Sequence, residues 1–210
     1  MNHKVFKEFL CEERRKQIIE FVNTLQPPTQ ELTNTHIKNV GETLKGFSYI
    51  YDITKTDVSK FLSEFQSDGN IQDEKDLPKV LIEMIDEISK RIGYRADNVF
   101  MQIIIMNEGG RIKEHYDTAY PGWVNYKCNI SLSSEDYTLF THGGDIEVSE
   151  GDLYCFEASL YKHWTKPFTQ RRLLLSYGFG LTYGALGWDE NDPRVRLSNR
   201  IINYFQNTRK

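Results

Sequence analysis

His115 and Asp117 stand two residues apart in the stretch EHYD, and His163 follows 46 residues after Asp117 in YKHWTKPF. Side chains alternate in direction along an extended chain, so a spacing of two puts the imidazole and the carboxylate on one side of a strand. Two imidazoles and one carboxylate make the facial set that holds non-haem Fe(II), leaving neighbouring positions for a chelating cosubstrate and dioxygen. An HxD pair alone carries little weight. It gains weight from the later histidine and from Arg171 and Arg172 behind it, all within a strand-rich region.

Those residues need a frame, and the chain after Asn98 supplies one. FMQIIIM reads as a strand, NEGGR as a turn and IKEHYD as the start of another extended segment; YKCNISL, DLYCFEA and RRLLLSYGF read as further strands. Glycines at 109, 110, 143, 144 and 151 punctuate them. No helix long enough for a βαβ crossover intervenes. The expected fold is therefore a mostly β core with supporting α-helices, a double-stranded β-helix or jelly roll.

Upstream the rhythm is helical. Apolar residues from Val5 to about Leu25 recur at helical spacing until Pro27 and Pro28, and Val80, Leu81, Met84, Ile85 and Ile88 form a second stripe between a helix entry near Asp76 and Pro78 and an exit at Gly93. Both read as helices behind a sheet, with Met84 in the core. Between them GETLKGFSYIYDITKTD reads as a short hairpin ahead of a helical pattern at Val58, Phe61, Leu62 and Phe65. Phe47, Tyr49 and Tyr51 read as core or rim packing, with substrate contact the alternative. The expected organisation is one catalytic domain over 1–210, with support and rim elements in 1–97, the β core in 98–180 and a C-terminal extension in 181–210.

At 210 residues the chain suffices for one sizeable core. A formal charge of -4 with 27% charged residues reads as an ordinary soluble protein, with no basic tail that by itself argues for nucleic acid. Cys11, Cys128 and Cys155 are too few and too irregular for a disulfide framework. No apolar run approaches the roughly 20 residues that cross a bilayer, and charge interrupts the apolar positions of the first residues, unlike a secretion signal. Cytosolic residence is the expectation.

On HYD, YKHWTKPF and QRRLLLSYGF, over roughly residues 98–180, the chain resembles the Fe(II)- and 2-oxoglutarate-dependent dioxygenase superfamily. The resemblance implies Fe(II) held by His115, Asp117 and His163, with 2-oxoglutarate and dioxygen as cosubstrates. It also implies a basic residue on the distal carboxylate of 2-oxoglutarate, and Arg172, nine residues after His163, matches better than Arg171. Arg171 has the opposite strand parity, although a bulge would exchange the two. Turnover would convert 2-oxoglutarate to succinate and carbon dioxide while hydroxylating a C–H bond; on an N-methyl group the product collapses to formaldehyde and the demethylated amine.

Within the superfamily the glycine before HxD, SLSS, GGD, GDLYCF and RRLLLSYGF are similar to the AlkB-like branch. Two features depart from it. The Asn-x-Tyr pair of that branch falls on Ile104 and Met106 here, and its second arginine falls on Gly178. Gln102, Tyr126 and Asn129 are the candidate replacements for the missing cosubstrate contacts.

For the substrate, Tyr116, Tyr120, Trp123 and Trp164 are candidate contacts, each weighed against ordinary packing. Arg194, Arg196, Arg200, Arg209 and Lys210 make the tail basic, but Asp189, Glu190 and Asp192 dilute it. A small organic substrate is favoured on the acidic total. Demethylation of nucleic acid, hydroxylation of a peptide, and a noncatalytic or cupin-like metal protein are the alternatives. His142, Asp145 and Asp152 sit beside glycines and read as turn residues.

Overall fold

The computed structural model describes residues 3–25, 46–53, 71–72, 77–95, 98–117 and 120–208. In chain order its elements are β1 (Lys4–Phe6), α1 (Glu12–Thr24), β2 (Gly46–Asp52), β3 (Ile71–Gln72), α2 (Lys79–Ile92), β4 (Asn98–Met106), β5 (Trp123–Ser131), β6 (Tyr137–Thr141), β7 (Ile146–Val148), β8 (Leu153–Glu157), β9 (His163–Trp164), β10 (Arg172–Thr182) and α3 (Pro193–Thr208). Among the described residues they form a seven-stranded sheet, ordered β1-β8-β5-β10-β4-β2-β3, and a three-stranded sheet, ordered β7-β6-β9. Every pairing is antiparallel except that of β2 with β3.

Strand alternation divides the large sheet into two chemically different faces. On β10, Leu173, Leu175, Tyr177 and Phe179 face Ile18 and Val22 of α1 and Leu81, Met84 and Ile88 of α2. Full burial of such a side chain stabilises by roughly 1.5–3 kcal/mol, so this helix-backed face is the main apolar reservoir of the fold. Met84 lies in it as the helical stripe predicts. The Tyr177 hydroxyl donates to the Leu81 carbonyl at 2.9 Å, tying sheet to helix. Gly93 ends α2 in the left-handed conformation, φ 80°, where a side chain would be strained.

The other face looks onto the small sheet. Tyr154, Phe156 and Leu174 meet Leu139, Ile146 and Val148 there, forming a second, smaller cluster. At one end of this interior α3 closes the roll, with Val195 and Ile201 packed against Val124, Leu160 and Trp188.

The N-terminal helix begins later than its apolar spacing suggests. Residues 4–6 instead pair with the otherwise open edge of β8, Val5 opposite Tyr154, and Glu8 at φ 51° breaks the chain before α1. Asp152 holds that arrangement by accepting from the Glu8 amide at 3.2 Å and from Lys7 Nζ at 2.7 Å. An exposed strand edge has unmet hydrogen-bonding groups, and three residues are enough to cover it. Of the expected hairpin only residues 46–53 are described, and there β2 pairs with β4 and, in parallel, with β3. The segment 1–97 thus contributes strands to the large sheet as well as helices. Tyr51 is buried in the helix-backed core and not at a rim.

Pro27, Pro28, the pattern from Val58 to Phe65, the helix entry at Asp76, and Arg209 and Lys210 lie outside the described residues, as do the side chains of Phe47 and Tyr49. No helix among the described residues is long and apolar enough to cross a membrane.

Candidate metal centre

Residues 112–115 run antiparallel beside β9 and place its histidine opposite the first residue of HxD. His115 and His163 exchange backbone hydrogen bonds, N to O, at 3.3 and 2.9 Å, and their rings stand 4.3 Å apart between centroids. Beyond His115 the Asp117 amide donates to the Ala158 carbonyl at 3.0 Å, which turns its carboxylate toward the two rings. One ligand atom from each of His115, Asp117 and His163 lies within 4.8 Å of the others.

The ring nitrogens are assigned by their neighbours. Nδ1 of His115 lies 2.7 Å from the Lys113 carbonyl, and Nδ1 of His163 lies 3.2 Å from the Tyr161 carbonyl. A carbonyl only accepts, so each Nδ1 carries the proton and each Nε2 keeps its lone pair. Those lone pairs face Asp117 Oδ1 at 3.2 and 3.6 Å. Two ring nitrogens and a carboxylate oxygen thus converge, an arrangement that a metal cation would complete. Burial pushes His163 down to about 3, so its imidazole is neutral near pH 7. Burial by itself would raise the Asp117 carboxyl, but the Lys127 ammonium beside it holds it well below the usual carboxylate range.

Arg172 opens β10 and is buried in the interior, whereas its neighbour Arg171 is exposed. The guanidinium stacks over Tyr137 and Phe168, 4.2 and 4.7 Å from the ring centroids. Nη2 donates to the hydroxyls of Tyr137 and Tyr154. Nε and Nη1 are buried with no hydrogen-bond partner, and no carboxylate among the described residues pairs with this cation. Buried donors are seldom left unmet in native structures. A buried cation with unpartnered donors suits an anion such as a carboxylate, since hydrogen bonds between charged groups are the strong ones.

Of the candidate cosubstrate contacts, Asn129 is buried on the interior face of β5 with its Oδ1 unpartnered. Gln102 is interior too, but its Oε1 accepts from Lys127 Nζ at 3.0 Å and is thereby engaged. Tyr126 points the other way, into the helix-backed core, edge-on to Tyr94 at 5.9 Å. It has the wrong strand parity for the interior.

The four candidate substrate contacts are not brought together. Tyr116, between two ligands, turns outward onto Phe205 of α3, with a centroid separation of 6.2 Å. Trp164 lies on the opposite face of β9 from His163 and stacks on Phe140 at 5.7 Å. Tyr120 is half-buried. Trp123 shares the parity of Asn125 and Lys127 on β5 and lies against Gly180, which leaves it the best placed of the four. His142 is exposed and pairs with Glu114 at 3.0 Å, outside the triad. Asp145 accepts from the Thr141 amide at 3.2 Å, as a turn residue does.

Interior polar residues beyond those candidates include Lys127, Asn125, Tyr137 and Tyr154. A lysine within the apolar run WVNYKCNIS, at the parity of two asparagines, was the available signal for the first. Gly178, where the AlkB-like branch has its second arginine, lies beneath the ring of Phe100 and opposite Lys127. Opposite that glycine the cation comes from β5, with the Lys127 ammonium 4.8 Å from the Phe100 centroid.

No protein-family model and no curated protein matches the sequence. Solved structures do match in fold. A Pseudomonas putida prolyl-4-hydroxylase aligns with a TM-score of 0.51 at 14% identity, covering 84% of this chain and 91% of its own. OsALKBH1 aligns at 0.55 and 14%, covering 84% and 97%. A Trichoplax adhaerens prolyl hydroxylase, in complex with a hypoxia inducible factor peptide fragment, aligns at 0.52 and 13%, covering 84% and 82%. The chain has the fold of the Fe(II)/2-oxoglutarate oxygenases, the double-stranded β-helix. At its centre stands the two-histidine, one-carboxylate triad His115, Asp117 and His163.

Proposed function

We propose that this chain is an Fe(II)- and 2-oxoglutarate-dependent oxygenase in which His115, Asp117 and His163 hold the metal and Arg172 holds the distal carboxylate of the cosubstrate. The observation that carries the proposal is the buried Arg172 guanidinium with Nε and Nη1 unpartnered, in the interior that also holds the triad. A noncatalytic or cupin-like metal protein has no need for that cation.

Iron with 2-oxoglutarate and dioxygen supplies C–H oxidation, with succinate and carbon dioxide as coproducts. The protein binds, orients and shields. The Nδ1 hydrogen bonds to Lys113 and Tyr161 aim both Nε2 atoms at one point. Tyr137 and Phe168 cover the guanidinium faces, which keeps water from competing for a carboxylate there. Burial holds the Tyr137 phenol neutral, so its hydroxyl remains a donor beside Arg172. The same reading treats the whole chain as one catalytic unit, because β1 to β3 complete the large sheet and α3 packs on Tyr116 between two ligands.

For the substrate we favour a macromolecule over a small organic compound. The small-molecule expectation rests on net charge alone, whereas the similar structures include prolyl hydroxylases, one with a peptide bound, and OsALKBH1. Peptides and methylated oligonucleotides are the two arms to screen.

Anaerobic titration with Fe(II), with and without 2-oxoglutarate, tests the class. A visible charge-transfer band that needs both, absent in Asp117→Ala, is expected. Metal binding with no response to 2-oxoglutarate would overturn it. Succinate release coupled to an oxidised peptide or oligonucleotide, identified by mass, assigns the substrate; turnover of small metabolites alone would reverse the macromolecular preference.

A further inference from the structure

The two oxygens of Asp117 have different neighbours. Oδ1 faces Nε2 of His115 and of His163, at 3.2 and 3.6 Å. Oδ2 faces away from them, toward Nδ2 of Asn125 at 3.3 Å and Nζ of Lys127 at 3.5 Å. Both donors come from alternate positions of β5, so one strand presents them side by side.

Each donor is itself held. Lys127 Nζ bonds to Gln102 Oε1 at 3.0 Å and to Ser176 Oγ at 3.3 Å, on β4 and β10. An ammonium has three protons. Two go to these sheet residues and the third is left for Asp117. The Phe100 ring beneath the ammonium fills the space above Gly178, so the lysine stem cannot fold back against β10. The Asn125 backbone is pinned through its amide to Ser159 Oγ at 3.0 Å. Lys127 Nζ is thus fixed by residues of two neighbouring strands and Asn125 is fixed at its backbone, and both present donors to Oδ2.

We infer that Lys127 and Asn125 are positioning residues that keep Asp117 a one-oxygen metal ligand, with Oδ1 toward the metal and Oδ2 turned away. Carboxylates bind metals through one oxygen or two. A second oxygen on the metal would occupy a position that a chelating cosubstrate needs, whereas two donors on Oδ2 prevent the rotation that brings it in. The inference deepens the iron-site reading and rests on it. It also accounts for a buried cation beside a metal ligand, where a positive charge would otherwise oppose metal binding.

Lys127→Met and Asn125→Ala test it in the full chain, with folding of each variant verified by near-ultraviolet circular dichroism. Co(II) is the probe for the metal alone, because its visible spectrum reports coordination number. Fe(II) with 2-oxoglutarate, without oxygen, is the probe for chelation. Expected for both variants is a changed Co(II) spectrum, with 2-oxoglutarate affinity reduced by about tenfold or more while metal affinity changes by less, a loss within the range typical when groups bonded to metal ligands are removed. Asn125→Ala should show the same split more weakly, and it keeps the test decisive if Lys127→Met does not fold. Identical Co(II) spectra in wild type and the folded variants would overturn the inference, as would an equal loss of metal and cosubstrate affinity. Failure of the oxygenase reading looks different: wild type binds Co(II) but gives no response to 2-oxoglutarate, and the metal-only spectra still decide the role of Lys127 and Asn125.

Discussion

Arg172 lies with its guanidinium 4.2 Å above the ring of Tyr137 and donates through Nη2 to the same phenol. The stack fixes the plane of the cation, and the hydrogen bond fixes its rotation within that plane. Nε and Nη1 remain buried with no hydrogen-bond partner. A buried planar cation held in this way still has donors of fixed direction for an incoming anion, which a lysine at the same position would lack.

Arg172→Gln should therefore weaken 2-oxoglutarate binding by at least about tenfold, since a bond to a charged group contributes roughly 1.5–3 kcal/mol, while anaerobic Fe(II) binding stays close to wild type. Arg171→Gln, at an exposed position, should change neither. Titration of both variants by the charge-transfer band checks the pair. Loss of cosubstrate binding in the Arg171 variant alone would show that the register is wrong.

The metal-free protein should lose stability on acidification. Burial depresses His163 from 6.5 to about 3, so between those values the unfolded chain binds a proton that the folded chain refuses. Stability from this group is fully present above pH 6.5 and is lost as pH falls toward 3, and the depressed Asp117 carboxyl acts in the same direction at the acid end. Urea unfolding of the apoprotein at about pH 7 and about pH 5 should differ by about 2 kcal/mol more in wild type than in His163→Gln. Equal pH dependence in the two would contradict a neutral, buried His163.

Gly178→Ala should damage the site without touching a ligand. A Cβ at that position runs into the ring of Phe100, which must move, and Lys127 sits over that ring. Overpacking of this kind costs typically 1–3 kcal/mol. Chemical denaturation should show that loss, and the Co(II) spectrum should shift as well. A variant with wild-type stability would mean that the ring relaxes freely.

Met84→Ala should destabilise by roughly 2–5 kcal/mol, because its side chain is fully enclosed between α2 and the large sheet. Ile82→Ala, on the same helix but 40% exposed, should cost far less. The midpoints of two urea curves decide this, and similar shifts for both would misplace the buried face of α2.

Residue types and spacing were enough to select His115, Asp117 and His163 as one set and to predict a strand-rich roll backed by helices. They sufficed because ligand chemistry is carried by side-chain identity, and because alternation within a strand follows from backbone geometry alone. The same alternation separated Arg172 from Arg171, one of which the fold buries while the other stays exposed. What alternation leaves undetermined is which of two faces is the interior, and which distant strand lies alongside. Tyr126 therefore read as a site residue although its face is the helix-backed one, and Trp164 read as a contact although it lies behind His163. Lys127, Asn125 and Tyr137 were not legible because their partners are separated in sequence by 8 to 49 residues, across pairings of β5 with β10 and β4 with β10 that only the closed sheets establish. Edge pairing likewise overrode helical spacing at Val5 and Phe6, since an open β8 edge is satisfied by any backbone that reaches it. Sequence determined which groups were present; tertiary register decided which of them meet.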